Sequence, residues 1–128
     1  MIHRVGDVSH VTVMNPDEPA SLLNAVSRHK TEVEQRIISA LSRTGQDKLR
    51  SAMLHLIEGG GKRLRATLPM IVAEAVGEGN AGLYDVGAAI EIIHNFTLVH
   101  DDIMDADEVR RGRPAVHVAY DYPTAINA

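Results

Sequence analysis

Three clusters of charged side chains carry whatever chemistry this sequence can do. The first is acidic: Asp101, Asp102 and Asp105 spell Asp-Asp-x-x-Asp. Asp101 and Asp105 stand four residues apart, so on a helix they share a face and their charges repel. The cluster also falls at the C-terminal end of a long helical pattern, where the helix itself carries negative partial charge. Each effect costs roughly a few tenths of a kcal/mol. A bound cation reverses both. Oxygen-only ligands suit Mg2+, which keeps several waters and completes its shell with phosphate oxygens. The same residues also fit a solvated acidic helix end, so on their own they leave both readings open.

The second cluster is basic. Gly59-Gly60-Gly61-Lys62-Arg63-Leu64-Arg65 sets three cations just after a flexible turn and at the start of a helical pattern. Helix N-termini attract anions, and glycine lets backbone approach a phosphate closely. Lysine offers a compact charge and arginine a two-pronged fork. The spacing is not that of a P-loop, and no strand pattern precedes it. Read alone, it is equally a glycine helix cap followed by surface cations. The third cluster, Arg110-Arg111-Gly112-Arg113-Pro114, follows a run of five carboxylates, Asp101, Asp102, Asp105, Asp107 and Glu108. It fits a self-neutralising surface loop. It also fits a site for a metal-bridged diphosphate, which needs carboxylates for the metal and arginines for the bare phosphate oxygens.

The elements that must hold these clusters read as helices. Residues 1–20 form a leader without a clear period, punctuated by Pro16 and Pro19. Ser21 is the expected N-cap of a first helix, with Leu22, Val26, Val33, Ile37 and Leu41 recurring mostly every four residues and His29 and Lys30 filling the gap. Gly45 ends it. Leu49, Met53, Leu56 and Ile57 mark a second helix that runs into the three glycines. A third is expected over about Arg65 to Val76, with Pro69 in its first turn or so. A long one follows over about Leu83 to Met104, carrying Val86, Ile90, Ile93, Phe96, Thr97 and Val99. Asp105 to Pro114 reads as a loop or frayed helix end. Pro114 is expected to open a helix through Tyr120, and Pro123 to open another. No alternating strand pattern and no Asn-Gly hairpin signal is present.

Composition narrows the class. The chain has 128 residues, the size of one ordinary domain, and no cysteine, which excludes disulfides and thiolate metal sites. Its formal charge of -4 gives no pull toward nucleic acid. No apolar run is long enough to span a bilayer, and the N-terminus lacks the order of a signal peptide. A cytoplasmic protein is the expectation.

Taken together, the clusters are far more specific than any one of them. Gly60-Gly61-Lys62-Arg63-Leu64-Arg65, Glu91-Ile92-Ile93-His94, Leu98-Val99-His100-Asp101-Asp102-Ile103-Met104-Asp105 and Arg110-Arg111-Gly112-Arg113-Pro114 resemble, in wording, order and spacing, the trans-isoprenyl diphosphate synthase (polyprenyl synthase) family. The resemblance covers residues 21–128 and matches the N-terminal part of such an enzyme. It implies an all-α isoprenoid synthase fold, with long antiparallel helices around a central cavity, usually as a homodimer. It implies a prenyltransferase that condenses isopentenyl diphosphate with an allylic diphosphate (dimethylallyl, geranyl or farnesyl), using Mg2+. Asp101 and Asp105 would hold the metal, with Asp102 supporting. Arg110 would contact the allylic diphosphate. Lys62, Arg65, His94 and Arg111 would hold the diphosphate of isopentenyl diphosphate. Phe96 and Thr97, just before the aspartates, would form the floor that sets product length, and they suggest a C20 product over C15.

The resemblance departs at the C-terminus. Complete members are much longer and carry a second aspartate-rich motif and a further lysine, neither of which follows Pro123. A fragment, one half of a split enzyme, or a non-catalytic helical binding or assembly module would each explain this. The fragment is the expectation, inactive alone or associated with a missing C-terminal half. His100-Asp101 also spells the His-Asp pair of metal-dependent phosphohydrolases. That reading leaves the glycine-lysine-arginine segment and the paired arginines unexplained.

Overall fold

In the computed structural model, residues 18–128 are described, and they are almost entirely helical. The expectations for the leader before Glu18 lie outside the described residues. Helix α1 runs Glu18–Leu41, α2 Asp47–Glu58, α3 Leu64–Ala75 and α4 Gly82–Met104. A two-stranded ribbon follows, β1 Val109–Arg110 and β2 Arg113–Pro114, and then the short helices α5 Val116–Ala119 and α6 Tyr122–Asn127. α1 opens before Ser21, so that serine lies inside the first turn and is not the cap.

α3 packs antiparallel to both α1 and α4. Near one end of α3, Glu74 meets His29 of α1; near the other, Arg63 meets Glu34 of α1 and Glu91 of α4. Between these points α3 and α4 nearly touch. A β-carbon on Gly87 would lie 2.1 Å from the carbonyl oxygen of Ala66, so only glycine permits this approach. Val33 and Ile37 of α1, Ile57 of α2, Ala66 of α3 and Ala88 of α4 form one buried cluster. Ala52, Leu56, Val99, Val116 and Ala125 form a second, which seats α5 and α6 against α2 and α4. Asp121 caps α6 through the Thr124 amide (2.7 Å) and pairs with Lys48 of α2. The Lys48 and Thr124 hydrogen bonds hold its carboxyl down at about 2.

Three further sequence expectations change. Pro69 is the sixth residue of α3, not in its first turn, so the Arg65 carbonyl loses its helical donor. Asp105 to Pro114 is not simply a loop. Val109 pairs with Pro114 and Arg110 with Arg113 around a two-residue turn. Arg111 (φ 53) and Gly112 (φ 74) are both left-handed, the conformation a tight hairpin turn requires. The turn pair is Arg-Gly where Asn-Gly was the signal sought. Pro114 therefore ends a strand, and the next helix opens at Val116.

The large apolar side chains of α4 lie mostly outward. Val86, Ile90, Ile93 and Phe96 are exposed. Gly87, Ala88, Glu91, Asn95, Val99 and Asp102 are buried instead. α3 repeats the pattern: Leu64, Leu68, Val72 and Val76, one per turn, all face outward. The apolar space enclosed between α2, α4 and the chain end is only about 20 Å³, room for a single water.

Candidate active site

The basic cleft is built where the N-terminus of α3 meets α4 and the ribbon. Gly61, Lys62, Arg63, Leu64, Arg65, Glu91, His94 and Arg111 line an open pocket of about 210 Å³. Lys62 and Arg65 are exposed there, and Arg65 Nη1 lies 3.5 Å from His94 Nε2. Lys62, Arg65, His94 and Arg111, four residues from three separate stretches of sequence, thus share one concavity. Glycine makes the concavity possible. Gly60 (φ 85) and Gly61 (φ 141) adopt backbone that other residues avoid, and a β-carbon on Gly61 would press on Arg63 and Arg111.

The three cations of the second cluster do not act alike. Lys62 and Arg65 face the cleft. Arg63 turns inward, with its side chain fully buried. Its Nε donates to Glu34 (3.1 Å), Nη1 to Glu91 (3.2 Å) and Nη2 to the Ile57 carbonyl (2.7 Å). Glu91 also accepts from the Asn95 amide. Sequence reasoning counted Arg63 among surface cations and gave Glu34, Glu91 and Asn95 no role. The available signal was polar residues at the 91, 95 and 102 positions of one helix face, which are costly to bury unless paired.

Two of the three ribbon arginines, Arg111 and Arg113, gather at the C-terminal end of α2. Arg111 donates through Nη1 to the carbonyls of Leu56 (3.1 Å) and Gly60 (2.6 Å), and Arg113 donates to His55 (3.2 Å). With Arg63 on Ile57, each of three successive carbonyls receives a different guanidinium. Helix C-termini carry negative partial charge, so these carbonyls anchor cations well, His55 and Ile57 accepting from the Gly59 and Gly60 amides besides. Burial, then the charge of Arg63, pushes the Arg111 guanidinium down from its ordinary value.

The aspartates divide. Asp101 and Asp105 are exposed on one face of α4. Asp102 is buried and grips Arg110 with both oxygens, Nε to Oδ2 at 2.8 Å and Nη2 to Oδ1 at 2.7 Å. Its hydrogen bonds raise the Arg110 guanidinium's hold on its proton. Asp102 thus differs from the exposed Asp101 and Asp105 in being buried and paired to the first ribbon arginine. Among the described residues no three carboxylates or imidazoles converge as a ready-made metal cage. Mg2+ asks for less. One or two carboxylates, waters and substrate phosphates complete its shell, and Asp101 with Asp105 supply that donor set.

His94 and Asp101 are seven residues apart, nearly two turns, so they lie on the same side of α4 about 10 Å apart along its axis. One helix face thus carries an anion cleft at one level and a carboxylate pair at the next. Phe96 is half exposed and stacks on His100 (4.2 Å), whose Nδ1 meets the Phe96 carbonyl. Phe96 is not a core aromatic. Thr97 is also exposed and donates to the His94 carbonyl, about 100° around the helix from Phe96.

The sequence profile of the Polyprenyl synthetase family matches residues 46–128. The chain belongs to the polyprenyl synthetase family. It is 43% identical over 107 residues to a short chain isoprenyl diphosphate synthase of Methanothermobacter thermautotrophicus, covering 84% of this chain and 33% of that one. It is 53% identical over 81 residues to a geranylgeranyl diphosphate synthase of Sulfolobus acidocaldarius, covering 63% of this chain and 24% of that one. Among solved structures, a geranylgeranyl pyrophosphate synthetase from Geoglobus acetivorans superposes with a TM-score of 0.71 at 44% identity, over 79% of this chain and 33% of that chain. The all-α polyprenyl synthetase fold is therefore the fold of this chain, which spans about a third of the length of the first of these relatives. The family match leaves the phosphohydrolase reading of His100-Asp101 without support. No described helix is long and apolar enough to cross a membrane.

Proposed function

We propose that this chain supplies the diphosphate-binding wall of a trans-prenyltransferase that condenses isopentenyl diphosphate with an allylic diphosphate. The observation that carries the reading is the convergence of Lys62, Arg65, His94 and Arg111 on one cleft, two helical turns from Asp101 on the same face of α4. The cleft cations hold the diphosphate of isopentenyl diphosphate. Asp101 and Asp105 would hold Mg2+, which would supply positive charge for the departing allylic diphosphate. Arg110, aimed by Asp102, adds a donor to that diphosphate.

The chemistry follows from that placement. The allylic carbon–oxygen bond breaks and its electron pair leaves with the diphosphate, giving an allylic cation. The double bond of isopentenyl diphosphate attacks the cation, and a proton lost from the new chain passes to the diphosphate. No protein base is needed. Water must be kept away from the cation, which calls for an apolar surface beside the aspartates. Ile90 and Ile93, on the exposed stripe leading away from Asp101, fit that demand in part.

The same reading makes the assembled enzyme a short-chain synthase, C20 over C15, requiring Mg2+ and working in the cytoplasm as a homodimer or together with the remaining wall of the cavity. The 128 residues alone are expected to show no condensation, since their apolar wall is open. Radiolabelled product from the purified chain would contradict this. Phe96→Ala in an active form is expected to lengthen the product, and an unchanged chromatogram removes Phe96 from the floor. The direct test of the cleft is calorimetric titration with isopentenyl diphosphate. Lys62→Ala should weaken binding by about tenfold or more, as loss of a charged contact does. Equal affinity for the two proteins would refute the proposed site.

A further inference from the structure

Arg63 is a fully buried cation that the proposed reaction does not use. It occupies the floor of the cleft, behind Lys62 and Arg65, and its three bonded nitrogens reach three different elements: Glu34 of α1, Glu91 of α4 and the last turn of α2 at Ile57. Its own backbone begins α3. It has left-handed backbone (φ 55), which a residue with a β-carbon adopts only at some cost. That conformation sends Arg63 inward while Lys62 and Arg65, on either side, face out. Its carbonyl also anchors the first turn of α3, accepting from the Thr67 amide and hydroxyl (both 3.0 Å).

We infer that Arg63 is a positioning residue for the diphosphate cleft: with Glu34 and Glu91 it sets the distance between the Lys62–Arg65 turn and His94, without touching the ligand. The inference rests on the reading of the cleft given above. Two observations separate it from a ligand role. The guanidinium is already matched by two carboxylates and a carbonyl, so it has no charge to spare for a phosphate. Its side chain is also shut off from solvent, whereas Lys62 and Arg65 are open to it.

Geometry, not charge, then governs its contribution. A lysine at this position keeps the charge but carries one nitrogen and cannot reach three partners at once. A direct or long-range electrostatic role would be largely preserved in Arg63→Lys and lost in Arg63→Met. A positioning role is lost equally in both, because a small displacement of binding groups weakens binding steeply.

The test is calorimetric titration with isopentenyl diphosphate, on the chain as expressed, well below the melting temperature of every variant. Simple destabilisation does not change affinity under those conditions. Arg63→Lys and Arg63→Met are each expected to bind about tenfold more weakly than wild type, within about twofold of one another. Glu34→Gln, which changes only the outer partner, is expected to bind about threefold more weakly. Wild-type affinity in Arg63→Lys overturns the inference, as does a Lys variant that binds far better than the Met variant. If neither Arg63 variant folds, Glu34→Gln decides, and unchanged affinity there overturns it. If wild type and Lys62→Ala bind alike, the cleft itself has been misread and the role of Arg63 falls with it.

Discussion

At the scale of single residues, the charged clusters have two populations that their types do not distinguish. Lys62, Arg65, Asp101 and Asp105 are exposed, while Arg63, Glu91 and Asp102 are buried in ion pairs. Residue type and spacing singled out the exposed set, because like charges on one helix face repel and a glycine turn followed by cations suits an anion. The buried set was not legible. An arginine between Lys62 and Leu64 reads as surface until the left-handed turn at Arg63 is known, and that turn depends on carboxylates 29 and 28 residues away. The Asp102–Arg110 pair gives a prediction at this scale. Arg110→Met leaves a buried carboxylate without its partner, so chemical denaturation should show a loss of about 3 kcal/mol. A loss under about 0.5 kcal/mol would mean that the pair does not hold the ribbon to α4.

At the scale of elements, periodicity located the four long helices to within a few residues, since each carries several turns of repeating apolar side chains. It does not tell which side of α4 is buried. The apolar stripe of Val86, Ile90 and Ile93 was the visible signal, yet the inward face is set by Gly87 and Ala88, whose small size lets α3 approach. A pattern search counts hydrophobic side chains and passes over the missing one. Gly87→Ala therefore tests the packing directly. Its methyl group would meet the Ala66 carbonyl, so the helices must separate, at a cost of about 3 kcal/mol in urea denaturation. Stability within about 0.5 kcal/mol of wild type would show that α3 and α4 are not held this closely. The ribbon escaped notice for a different reason. Two-residue strands have no alternation to detect, and the turn is carried by Arg111-Gly112.

At the scale of the whole molecule, the exposed stripes on α3 and α4 form a wall with nothing against it among the described residues. The match to the Methanothermobacter thermautotrophicus relative covers 33% of that protein's length, so about two thirds of that protein lies outside the match. That resemblance was readable from four short words of sequence, and the profile match and superposed structures agree with it. What the words could not give is the division of labour among their letters, which depends on which side chains the helices turn inward. The central claim is that Asp101 and Asp105 tolerate their mutual repulsion because a divalent cation joins them to a diphosphate. The most direct measurement is the affinity for inorganic pyrophosphate, by calorimetry, with and without Mg2+, in wild type and in the Asp101→Asn, Asp105→Asn double variant. Wild type should bind at least about tenfold more tightly with Mg2+, and the double variant should show no such gain. An equal Mg2+ effect in both proteins, or none in wild type, would contradict the claim.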